Sequence, residues 1–157
     1  MSKKKDNQAQ DAIKDALMDR MELVSELPPY WEDILEAVPG ADPNTSAFTW
    51  GNQIYVPNQK TDKIGATVLQ HEVQHSEQQD LIGGPKEWWK RWVKDKAFRL
   101  EQEGEAYARQ YWFFCSVKKD RNARARFLHQ LCANMSGPMF GNMCTYAEAK
   151  EIITNVY

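Results

Sequence analysis

At 157 residues, with 42% hydrophobic and 27% charged residues, the chain has the composition of one globular domain long enough to bury a core. A formal net charge of −2 argues against a general nucleic-acid binder, and no apolar run reaches the roughly 18 residues a membrane span needs. The opening MSKKKDNQAQD has no apolar stretch of the signal-peptide kind, so the expected location is cytoplasmic.

Residues 1–8 are polar and read as a disordered N-terminus, followed by a single domain over 9–157. From Ala9 to about Leu27 the positions Ile13, Leu17, Met21 and Val24 repeat at helical spacing, and Pro28-Pro29 ends the helix. A short helix over Tyr30–Val38 carries Trp31, Ile34 and Leu35 and stops at Pro39-Gly40. In residues 47–56, Phe48, Thr49 and Trp50 and then Ile54, Tyr55 and Val56 are strand formers separated by the turn signal Gly51-Asn52. That pattern predicts a small hairpin.

The next segment, from about Asp62 to Gln79, has apolar Ile64, Val68, Leu69 and Val73 at helical period and is broken by Gly83-Gly84-Pro85. Within it, His71-Glu72-Val73-Gln74-His75 forms the pattern H-E-x-x-H. Residues four apart share a helix face, so both imidazoles can reach one metal ion, with Glu72 placed to contact a water on that metal. By chance the pattern is expected in about a few per thousand chains of this length. A surface helix that happens to carry two histidines is the bland alternative, and the helical context weighs against it.

Residues 86–98, KEWWKRWVKDKAF, put Trp88, Trp89, Trp92 and Val93 on one side of a helix and cations on the other. The tryptophan stripe reads as core, in preference to a membrane-surface or groove-lining helix. Helices follow over Arg99–Val117 and Asn122–Met135. The run KKDRNARAR, residues 118–126, reads as a solvated helix start in preference to a phosphate-binding patch. A glycine-containing loop over 136–144 precedes Thr145-Tyr146-Ala147-Glu148, a capping box opening a last helix through Ile153. Cys115, Cys132 and Cys144 form an odd set without C-x-x-C spacing and read as free thiols, not zinc ligands. The whole predicts an α+β domain in which helix dominates.

A catalytic zinc site needs a third protein ligand, and Glu101, Glu103 and Glu105 follow His75. With Leu100 at 0° and about 100° per residue, Glu103 falls near 300°, within the apolar stripe of Phe114 near 320°, Tyr107 near 340° and Tyr111 near 20°. Glu101 and Glu105 fall near 100° and 140°, beside Arg109. A carboxylate facing the core is costly unless paired or bound to metal, which selects Glu103 and leaves Glu105 as the alternative. Small Gly104, Ala106 and Ala108 would let this helix approach the H-E-x-x-H helix closely.

HEVQH followed by QEGEAYA resembles the gluzincin branch of zinc metallopeptidases, in which a second helix supplies the third ligand as the first Glu of an E-x-x-A-[D/N]-like motif. Glu103 and Ala106 match that pattern. The segment is also similar to small zincin domains of bacteriophage and mobile-element proteins, which would make the host cytoplasm the expected location. The likeness covers about residues 47–115 and implies a zincin-like fold. One departure is Tyr107, where many relatives carry an Asp or Asn that holds a ligating His; a phenol is the weaker electrostatic partner.

The expected function is zinc-dependent hydrolysis of peptide bonds in a peptide or protein substrate. His71, His75 and Glu103 would hold Zn2+, and Glu72 would serve as general base. The resemblance further implies a substrate strand on a sheet edge, for which the hairpin is the candidate, and an oxyanion-stabilising residue among Tyr55, Tyr107, Tyr111 and Tyr146. His129 reads as structural. The rival is a zinc-holding structural or interaction protein that cleaves nothing, with the cleft closed by the Trp-rich helix or by the loop 136–144.

Overall fold

The computed structural model describes residues 2–61 and 64–155. Among these are seven α-helices and a three-stranded sheet: α1 (Ser2–Met18), β1 (Glu22–Val24), α2 (Trp31–Ala37), β2 (Phe48–Trp50), β3 (Gln53–Tyr55), α3 (Ala66–Leu81), α4 (Pro85–Lys94), α5 (Lys96–Val117), α6 (Arg121–Ser136) and α7 (Tyr146–Asn155). The α+β, mainly helical expectation holds, and among the described residues no helix is long and apolar enough to cross a membrane.

Three boundaries differ from expectation. Helix α1 begins at Ser2, because Lys, Gln and Ala in the polar opening are good helix formers that extend the amphipathic stretch backwards over the residues expected to be disordered. It ends at Met18, not near Leu27, and Glu22–Val24 leaves it to pair in parallel with β3. The Met21–Val24 spacing is helical, and pairing with β3 overrides it. Helix α3 starts at Ala66 with Gly65 as its N-cap; the start expected at Asp62 lies outside the described residues.

The hairpin forms as expected. β2 pairs antiparallel with β3, aligning Thr49 with Ile54, and the sheet order is β1-β3-β2. Edge strand β2 lies against α3. Gly83 and Gly84 have φ of 100° and 112°, a region that side chains with a Cβ rarely enter. This lets the chain reverse between α3 and α4. Pro85 then opens α4.

Helices α3 and α5 pack side by side along their lengths. One apolar cluster joins Leu17, Ile54, Leu69 and Val73 beneath the sheet. A second holds Trp88, Trp89 and Trp92 with Ile34, Val38 and Phe48, so the tryptophan stripe is core as read. A third joins Tyr107, Leu131, Met135 and Ile153 among α5, α6 and α7. The capping box is present: Glu148 N donates to Thr145 Oγ1 and Thr145 N to Glu148 Oε1, both at 3.1 Å. In the cationic run, Asp120 caps α6, and the Arg124 guanidinium donates to the carbonyls of Lys118 and Cys115. The cysteines are free, with Cys115 and Cys132 buried.

The small residues of α5 do not all serve the contact expected of them. A Cβ on Gly104 would lie 2.6 Å from Ile152 Cγ2, so this glycine admits α7, not α3. Ile152 is branched at Cβ and cannot swing that methyl aside. Gly104→Ala is therefore expected to cost about 1–2 kcal/mol in denaturant unfolding, overpacking outweighing the gain in helix propensity. In an Ile152→Ala background the same change is expected to stabilise, by up to about 1 kcal/mol. The same sign in both backgrounds would refute the contact.

Candidate metal centre and its cleft

Helix α3 presents His71 and His75 one turn apart toward α5, and α5 presents Glu103 in return. All three are buried. His71 Nε2 lies 3.1 Å from Glu103 Oε2 and 3.1 Å from His75 Nε2, and His75 Nε2 lies 3.3 Å from Glu103 Oε2. These three atoms make a nearly equilateral triangle. In a tetrahedral site with metal–ligand bonds of about 2.0–2.1 Å, neighbouring donors stand about 3.3 Å apart. The triangle has the size of one face of such a tetrahedron, and the group is able to hold a metal ion.

The outer ring nitrogens show which way the lone pairs point. His71 Nδ1 faces Gln110 Oε1 at 3.1 Å, and His75 Nδ1 faces Gln78 Oε1 at 2.8 Å. The Gln78 amide is itself oriented, since its Nε2 donates to Gln102 O and to Glu105 Oε2. With both Nδ1 atoms donating outward, both Nε2 lone pairs and a carboxylate oxygen converge on one point, an arrangement that calls for a cation or a proton.

Glu105 thus stands one step back from the cluster, holding the amide that holds His75. Gln78 and Gln110 were not anticipated from the sequence. They do the orienting expected of an Asp or Asn at position 107, where Tyr107 instead sets its ring edge-on to His71 with centroids 4.5 Å apart. Gln110 lies two turns after Glu103 and Gln78 one turn after His75, a spacing that marks them only once the ligands are known.

Glu72 is buried, and Thr49 Oγ1 donates to its Oε2 at 2.6 Å, which ties the base position to β2. Burial, with a smaller contribution from the Glu103 charge, raises the Glu72 carboxyl above its ordinary value against the lowering effect of His71, His75 and Thr49. His129 is elsewhere, its Nδ1 hydrogen-bonded to Tyr146 Oη at 2.8 Å between α6 and α7.

The cluster opens on a cleft of about 310 Å³. Thr45–Thr49 runs along one wall, Phe127, Gln130, Leu131 and Asn134 of α6 along another, and Met139 and Phe140 lie over it. The edge of β2 is partly used up: Thr49 O accepts from Gln79 Nε2 and Trp89 Nε1, both at 2.8 Å. Of the four tyrosines singled out from the sequence, Tyr107 alone lines the cleft.

Comparison with family models, with curated proteins and with solved structures gave no match.

Proton and metal compete for the same triangle. Burial by itself lowers the His75 imidazole, but Glu103, helped by Glu72 and Gln78, lifts it to about 9. Burial alone would likewise raise Glu103, yet His75 and the hydrogen bonds from both imidazoles hold it well below the ordinary carboxylate range. Metal binding must expel the His75 proton, so affinity measured against a competing chelator is expected to rise about tenfold per pH unit below 9. In protein stripped of metal, the lowered Glu103 contributes stability above its ordinary 4.5 and loses it as pH falls. The raised His75 contributes fully below 6.5 and loses it as pH rises through about 9. His75→Gln is expected to abolish the decline between 6.5 and 9 in denaturant unfolding, and an unchanged profile would refute the assignment.

Proposed function

We propose that the protein is a zinc-dependent metallopeptidase of the gluzincin type. The observation that carries this reading is the coincidence of three donors at tetrahedral-edge spacing, a buried carboxylate one residue from the first of them, and a cleft onto which all four open. Two imidazoles and one carboxylate oxygen suit zinc and leave a fourth position for water. A bound zinc ion would supply the Lewis acidity that activates water and polarises a peptide carbonyl.

The chain's own residues supply the rest. Glu72 takes a proton from the attacking water and delivers it to the leaving amine, a role suited by a carboxyl raised through burial. Thr49 holds the Glu72 carboxylate in one orientation. Tyr107, in the cleft wall against His71, is the residue placed to stabilise developing negative charge on the carbonyl oxygen. Apart from His71, Glu72, His75 and Glu103, the lining is uncharged, with Ile34, Val38, Phe48, Leu131 and Phe140 among its apolar members. The substrate it fits is an extended, uncharged and largely apolar peptide segment. Because Thr49 O, Ser46 O and the Thr45 and Ser46 N–H groups are already bonded, that segment lies against the Thr45–Phe48 wall through its side chains and does not add a strand to β2.

The rival, a zinc-holding protein that cleaves nothing, has one observation in its favour. Ser46 Oγ donates to Met139 Sδ at 3.3 Å, which ties the loop after α6 to the opposite wall of the cleft.

The two readings separate cleanly. Purified protein is expected to carry close to one equivalent of zinc by metal analysis, and His71→Ala to lose it. Glu72→Gln is expected to keep the zinc while hydrolysis of an apolar peptide library falls by about 10²–10⁴-fold, and Tyr107→Phe to lower kcat by about 10² with little change in KM. Equal turnover by wild type and Glu72→Gln would sink the catalytic reading while leaving the metal site standing.

A further inference from the structure

The two oxygens of Glu103 are not equivalent. Oε2 faces the imidazole nitrogens at 3.1 and 3.3 Å, whereas Oε1 accepts a hydrogen bond from Trp92 Nε1 at 3.0 Å. We propose that Trp92 is a positioning residue that restricts Glu103 to ligation through one oxygen and so keeps a coordination position open. The inference rests on the metal-site reading above.

An indole N–H is a donor and never an acceptor, so the oxygen it meets has one lone pair committed and is drawn away from the other two donors. Trp92 is 3% exposed, and water does not compete for the bond. The ring is also fixed in place. Trp89 packs against it edge-on at 5.1 Å and Phe140 at 6.4 Å. The Arg99 guanidinium sits 4.8 Å above its centroid while Arg99 Nε donates to the Trp92 carbonyl. A cation over the ring face draws electron density from the indole, which strengthens N–H donation. With that N–H removed, Oε1 loses its one hydrogen bond among the described residues. The carboxylate can then turn to offer both oxygens, adding a fourth protein donor where a reacting water would sit.

The neighbouring indoles act at other points of the same shell. Trp88 Nε1 donates to Gln102 Oε1 and Trp89 Nε1 to Thr49 O, so Trp92 alone of the three bonds a ligand.

The test uses the whole protein loaded with cobalt, whose visible absorption weakens as coordination number rises. Trp92→Phe is expected to lower the intensity of the cobalt bands and shift them, and to change metal affinity by about tenfold or more. Trp112→Phe, which removes an indole N–H that donates to Ile153 O and to no ligand, is expected to leave the bands in place. If Trp92→Phe does not fold, the isostere with sulfur in place of the indole N–H (3-benzothienylalanine at position 92) keeps the ring shape and carries the same expectation. Bands and affinity unchanged within about twofold in the position-92 variant, or an equal change in Trp112→Phe, would overturn the proposal. Wild-type protein that binds neither cobalt nor zinc would instead sink the metal-site reading itself.

Discussion

One carboxylate oxygen lies within 3.3 Å of two imidazole nitrogens in a region almost closed to solvent, and the surrounding structure is arranged to make that tolerable. An isolated buried carboxylate is costly, by several kcal/mol even after the protein relaxes. Here it is offset by cationic or metal-bound partners on α3, which forces α3 and α5 into register. Each group in the cluster then needs its own remaining partner: Gln110 for His71, Gln78 for His75, Trp92 for Glu103 and Thr49 for Glu72. Among the described residues no buried side-chain nitrogen or oxygen lacks a hydrogen bond. A polar network this deep contributes to a unique fold only when it is complete.

Helix α4 shows how apolar packing and polar positioning share the same side chains. Its three tryptophans fill the space between α2, β2 and α5, and burial of each ring contributes to stability in proportion to its area. Yet each buried indole must also satisfy one N–H. The acceptors found are Gln102, Thr49 O and Glu103, all of them within one step of a ligand or of the base. The core residues and the residues that shape the site are in this region the same residues.

Much of the site could be read before any fold was known, because its defining spacing is local. Two histidines four apart on a helix face together regardless of context. The apolar stripe of α5 placed Glu103, and not Glu105, toward the interior by helical geometry alone. The tryptophan stripe and the Thr145–Glu148 capping box were legible for the same reason. What escaped was set by partners distant in sequence. Gln78 and Gln110 look like surface glutamines until His75 and His71 are brought against them. Strand β1 has three residues, too few to display a period of two, and exists because β3 offers it an edge. Gly104 announced a close approach, but a helical face does not name the neighbour it meets, and here that neighbour is Ile152.

The joint between α4 and α5 is one residue long. Asp95 closes the first helix by donating its N–H to Arg91 O and caps the second by accepting from Phe98 N. With one residue between them, the second helix carries Glu103 inward while the first turns the charged side chains of Lys86, Lys90, Arg91 and Lys94 outward. The same short joint sets Trp92 of the first helix against Glu103 of the second, so the spacing of one residue decides which indole can reach the acid.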